Sequence, residues 1–140
     1  MAQKFWIGVV ARDHAMIAQE QGVCAFSHGK ESAVSRLSAG DKFIFYCPKT
    51  GINEGAIVQA FCALGTVTDD IPFQRKWAHT EFTAWVRNAD YAKVSQVPTK
   101  PMLEDLSFVT NPRYWGMAFR RGLFEISADD FNLISKQMLK

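Results

Sequence analysis

The chain has 140 residues, 48% hydrophobic and 21% charged, which suits one globular domain able to bury a core without staples and excludes a disordered chain. Its net charge of +2 permits an anionic partner without demanding one, and the lack of any block of like charges excludes a basic nucleic-acid tail. Cys24, Cys47 and Cys62 lack CxxC spacing, the N-terminal apolar run is too short for a signal peptide, and no segment is long enough to span a membrane, so no disulfide framework and no membrane partner is expected and the cytoplasm is the expected location.

The first predicted element is a buried strand over Phe5–Ala11, an aromatic and β-branched run. Asp13 is placed to cap a short helix over residues 14–21 that ends at Gly22. Residues 24–30 read as a connecting segment, followed by a helix over 31–38 with Ala33, Val34 and Leu37 on one face. Gly40-Asp41 turns the chain into Lys42–Tyr46, which is apolar on both faces and therefore reads as a central strand. Residues 48–55 carry turn chemistry. A long strand follows over Ala56–Val67, with Ile57, Phe61 and Ala63 expected on one face beside Gln59.

Residues 73–79 read as a loop, then Thr80–Arg87 alternates, with Phe82, Ala84 and Val86 on one face and Glu81, Thr83 and Arg87 on the other. Pro98 and Pro101 bracket a short helix or turn near Leu103–Leu106, and Leu123–Ile126 is a last short strand. Ser127 with Asp130 forms a capping-box-like start to a helix over 128–138 with Phe131, Ile134 and Met138 on one face. Strands and helices do not alternate regularly, so a doubly wound parallel sheet is not expected. The elements suit an α+β domain, a small mixed or antiparallel β-barrel with helices at its rim.

Three segments carry candidate chemistry. Ser27-His28-Gly29-Lys30 precedes a predicted helix, where glycine admits a close ligand and lysine adds charge, which would suit a phosphate. An ordinary helix entry with a solvated lysine is the alternative. Trp77 sits in a loop beside Arg75 and Lys76, and the stretch from Asn111 to Gly122 interleaves rings with cations, both suited to stacked bases and phosphates. A loop punctuated by glycine and proline, with surface arginines, explains the same stretch. Cys24 or Cys47 with His28 or His14 would be a thiol and base without any local signature, and the cysteines read as buried hydrophobes. A metal site from His14, His28, His79 and the cysteines lacks ligand spacing. No catalytic residue, metal or cofactor is therefore assigned, and an enzyme is the rival reading rather than the leading one.

The order of these segments resembles the EVE domain family, a PUA-like group related to the YTH readers. The likeness rests on Phe5–His14, His28-Gly29-Lys30, Gly40–Tyr46, Gln59-Ala60-Phe61, Leu106-Ser107-Phe108 and Arg120–Ile126. It implies one PUA-like domain over residues 1–140 with a pocket at one end of the barrel. It further implies a nucleic-acid partner, RNA or modified DNA, and an aromatic-lined pocket for a modified base. Carried over by position, the pocket would take Val10, Ala11 and Arg12 from the first strand end, Ser27, His28, Gly29 and Lys30 from the next segment, and Tyr46, Pro48 and Lys49 from the central strand end. Trp77, Trp115 and Arg120 would form its lid. A small-molecule ligand on the same barrel is the further alternative.

Overall fold

The computed structural model describes residues 3–51, 55–78 and 80–140. Eight strands form one curled mixed sheet: β1 (Phe5–Val9), β2 (Val23–Cys24), β3 (Lys42–Lys49), β4 (Ile57–Val67), β5 (Phe73–Lys76), β6 (Thr83–Tyr91), β7 (Val97–Pro98) and β8 (Leu123–Ile126). The order along the sheet is β2-β6-β4-β3-β1-β8, with β5 on β6 and β7 on β4. Only β1 and β3 run parallel among these pairs. The helices are α1 (Arg12–Gln21), α2 (Glu31–Val34) and α3 (Ala128–Met138), and the stretches 100–105 and 112–119 are 3₁₀. The fold is thus the half-barrel with flanking helices that the sequence predicts.

Strand β3 is central because both its faces are buried. Phe43, Phe45 and Cys47 enter one core with Trp6, Phe26, Ala63 and Val86. Ile44 and Tyr46 enter the other with Ile7, Phe61, Phe124 and the α3 residues Phe131, Ile134 and Met138. The expected shared face of Phe61 and Ala63 is overturned, because these two residues point into opposite cores. Phe45 pairs with Ala63 and Tyr46 with Phe61, so Cys62 is an extra residue on β4. A second extra residue falls between Ala60 and Ile57, where Gln59 has φ 48°. Each such bulge inverts the side-chain parity that a period of two assumes. Ile57, expected inward, is 71% exposed.

Several boundaries differ for physical reasons. Ala11, not Asp13, is the N-cap of α1, and the Asp13 backbone N–H donates to Thr50 O at 3.0 Å. Gly22 closes α1 in the left-handed conformation as expected. Helix α2 stops at Val34, four residues early, and Arg87 explains the end. This arginine, read on the strand face opposite Phe82, Ala84 and Val86, is 1% exposed. Its Nη1 donates to the carbonyls of Val34 (3.0 Å) and Leu37, its Nη2 to Asp69 O, and its Nε to the Asp69 carboxylate at 2.6 Å. The guanidinium thus caps the Val34 carbonyl at the end of α2 and the Leu37 carbonyl beyond it, and its buried charge is paired. Strand β5 was hidden because Gln74, Arg75 and Lys76 are exposed and leave no apolar alternation; it exists through pairing with Thr83–Val86. Ser127 caps α3 by accepting from Asp130 N, while the Asp130 carboxylate takes the backbone N–H and hydroxyl of Ser107.

Candidate functional site

Three chain segments leave their elements at one end of the sheet and enclose a cavity of about 720 Å³. Val9, Val10 and Ala11 come from the end of β1, and the α1 side chain of His14 joins them. Ala25 and the turn Ser27–Lys30 form the second wall, and Pro48, Lys49 and Gly51 the third. Trp77, Phe82 and Ala84 close it from the β5–β6 hairpin, and Arg120, Arg121 and Gly122 from the approach to β8. Backbone hydrogen bonds tie the walls together: Val9 N to Gly122 O at 2.9 Å, Val10 N to Tyr46 O at 3.1 Å, and Trp77 N to Phe82 O at 2.8 Å.

The turn is backbone-strained. Ser27, His28 and Gly29 are consecutive left-handed residues with φ of 50°, 60° and 77°. Such a conformation costs a non-glycine residue about 1–2 kcal/mol, and strain of this kind gathers at ligand sites. Phe26, fully buried, anchors the turn from the core, and Gly29 N donates to Phe26 O at 3.0 Å. At Gly29 the left-handed φ coincides with a close approach, since a Cβ there would lie 2.8 Å from Ala84 Cβ. Gly122 is required for space alone, because a Cβ would strike the Ser27 hydroxyl.

The cavity is apolar at its back and cationic at its mouth. Trp77 is 8% exposed, and the His14 ring lies against it with centroids 4.5 Å apart and 30° between planes. His14 Nε2 donates to Ala25 O at 3.0 Å, which leaves Nδ1 as the acceptor of a neutral ring. Burial lowers the His14 pKa to about 4, outweighing the Ala25 hydrogen bond, and His28 lowers it further. His14 is therefore neutral at physiological pH. Phe82 presents a ring that is 50% exposed. His28, Lys30, Lys49, Arg120 and Arg121 are all exposed, and the lining contains no Asp or Glu among the described residues.

Most of the sequence-predicted site residues meet in this cavity, and three do not. Arg12 is exposed and lines neither this cavity nor the next. Tyr46 and Trp115 open on a second cavity of about 390 Å³ that shares Val9 and Pro48 with the first. Tyr46 points into the opposite core from Phe45 and Cys47, where it stacks on Phe119 with centroids 4.0 Å apart. Sequence reasoning missed Val9, His14, Ala25, Gly51, Phe82, Ala84, Arg121 and Gly122 as lining residues. His14 lies one helical turn after Ala11, which was the available signal for it.

No cysteine lines either cavity among the described residues. Burial pushes Cys24 up to about 12. Cys47 is raised by its hydrogen bond with Cys62 and by burial, whereas Cys62 is lowered by the same contact. The described residues hold no group of three His, Cys, Asp or Glu placed to bind a metal. His79 and residues 52–54 of the 48–55 loop lie outside the described residues. No described helix is long and apolar enough to cross a membrane.

Residues 4–137 match the EVE domain. The chain belongs to the EVE domain family. This EVE domain is 37% identical over 134 residues to a UPF0310 protein of Mycolicibacterium vanbaalenii, covering 96% of this chain and 92% of the relative. It is also 37% identical over 130 residues to a UPF0310 protein in the gntR 5' region of Bacillus licheniformis, covering 93% and 88%. Among solved structures, the EVE domain superposes on the YTH domain-containing protein Mmi1 in complex with RNA. The TM-score is 0.65 at 14% identity, over 97% of this chain and 81% of that one. A hypothetical protein from Leishmania major gives a TM-score of 0.55 at 12% identity, over 96% and 94%. At these identities the structural likeness is one of fold.

Proposed function

We propose that this EVE domain, taken as one module over 1–140, binds nucleic acid with an extruded, modified base in the larger cavity. The observation that carries the reading is the pairing of a Trp77-faced apolar chamber with a mouth whose formal charges are all cationic. A chamber of about 720 Å³ is within the roughly 300–1,000 Å³ range of small-ligand pockets. The base stacks on Trp77, and an added alkyl group rests against Phe82, Ala84 and Val10. Ser27 and His28 read its polar edge from the strained turn, while Lys30, Lys49 and Arg120 take the flanking phosphates. Binding of this kind needs no cofactor and no nucleophile. The RNA-bound Mmi1 relative by fold favours RNA over modified DNA, and the unpaired thiols suit work in the reducing cytoplasm.

The test is an affinity screen of short RNA and DNA strands with and without base modifications, run on the wild type and His28→Ala. A modified strand should bind more tightly than its unmodified twin. His28→Ala should weaken binding by roughly 1–3 kcal/mol, one or two hydrogen bonds, with an unchanged Tm. Binding of no strand, with a neutral small molecule captured instead, contradicts the proposal. So does a His28→Ala variant that melts early but keeps its affinity.

A further inference from the structure

The second cavity, of about 390 Å³, is built by Tyr46, Gln59, Arg113, Tyr114, Trp115 and Phe119. Its position is set by the 3₁₀ stretch 112–119, which Asn111 starts by accepting from Arg113 N and Phe119 pins into the core. Phe119 stacks on Tyr46, and the Trp115 ring stands edge-on to both, 6.2 Å from Tyr46 and 5.9 Å from Phe119. Trp115 is only half-buried, and Tyr114 is 55% exposed. The inner aromatic layer therefore holds an outer one in place with rings left uncovered.

Two polar features point to a ligand. Tyr46 is 3% exposed as a residue and lines this cavity, and its hydroxyl is not among the described side-chain atoms that are buried without a partner. The ring is held in the core while the hydroxyl faces the cavity, where the polar edge of an entering ligand can replace its water. Gln59 stands beside it at the β4 bulge, with its backbone fixed by accepting from Thr99 N at 3.1 Å. Its side-chain amide offers both a donor and an acceptor, the pair needed to read the edge of a base. At the mouth, the Arg113 guanidinium lies 5.4 Å over the Tyr114 ring, a cation in reach of a phosphate. No carboxylate lines the cavity among the described residues.

The shared walls Val9 and Pro48 make the two cavities neighbours. We propose that the second cavity holds a second base of the same strand, stacked against Trp115 and read by Tyr46 and Gln59, with Arg113 on its phosphate. This rests on the first cavity's taking a base, and it makes the site a reader of two nucleotides rather than a pocket for one. Every base has a face to stack, so Trp115 would supply affinity, and the two polar groups selectivity.

The experiment compares a single-stranded tetranucleotide with a nucleoside monophosphate, each carrying the best base found for the first cavity. Wild type is measured beside Trp115→Ala, Tyr46→Phe and Trp77→Ala. Trp115→Ala should weaken the tetranucleotide roughly tenfold, the loss of one stacked base, and leave the monophosphate unchanged. Tyr46→Phe removes only the hydroxyl and should cost the tetranucleotide roughly threefold to tenfold, which keeps the test open should Trp115→Ala unfold. Trp77→Ala should weaken both ligands. Loss through Trp77→Ala with no loss through Trp115→Ala or Tyr46→Phe overturns the second site and leaves the first standing. No loss through Trp77→Ala overturns the first reading and the two-nucleotide path with it.

Discussion

Two sets of cations, one buried and one at the cavity mouth, are used in opposite ways. In the core, Arg87 is 1% exposed and gives its donors to Asp69, Val34 and Leu37. Lys30, Lys49 and Arg120, by contrast, are exposed around the cavity mouth and make no side-chain hydrogen bond or ion pair to any described residue. The buried cation is satisfied by the chain itself and ties β6 to the end of α2 and to Asp69. The rim cations are left for something outside the chain. Charge alone does not mark a binding residue; the decisive property is whether the fold has already supplied the partner.

The largest effect should come from breaking the buried set. Arg87→Ala leaves the part-buried Asp69 carboxylate without its countercharge and removes the donors to the Val34 and Leu37 carbonyls, which should cost about 3–5 kcal/mol in denaturant unfolding, whereas Lys30→Ala should cost almost nothing. Equal losses would erase the distinction between the two sets.

A smaller effect is expected from pH, through His14. Its folded pKa of about 4 lies below the ordinary histidine value of 6.5. Between those values the unfolded chain binds a proton that the native chain refuses, so stability falls as pH drops through this window. The loss should be on the order of 2–3 kcal/mol by pH 4. His14→Gln should flatten that part of the stability profile, and a profile identical to wild type would count against a buried neutral ring.

The smallest effect belongs to the rim. Lys30→Ala should reduce the salt dependence of oligonucleotide affinity by about one phosphate's share, because one fewer counterion is released. An affinity indifferent to salt in the wild type would argue that the rim cations meet no phosphate.

Much of this arrangement was legible in the sequence. The apolar run of β3, the Ser127 cap and the Gly22 terminus each carry a local signal that the fold respects. The first cavity was legible because three element ends converge there, and side chains at such ends are free of core packing. The split into two cavities was not. Strand parity sends Tyr46 away from Phe45 and Cys47, and the bulges at Cys62 and Gln59 carry no composition that announces them. Arg87 was illegible for a similar reason: an arginine in an alternating strand reads as solvated until Asp69 and the end of α2 are brought to it by the fold.

The central claim is that a base occupies the chamber faced by Trp77. Its most direct test is a two-dimensional NMR titration of the labelled protein with the tightest-binding strand from the affinity screen. The account predicts the largest shifts at the Trp77 indole N–H and at the backbone amides of His28, Gly29 and Gly122. Shifts confined to other surfaces, with these signals unmoved at saturation, would contradict it.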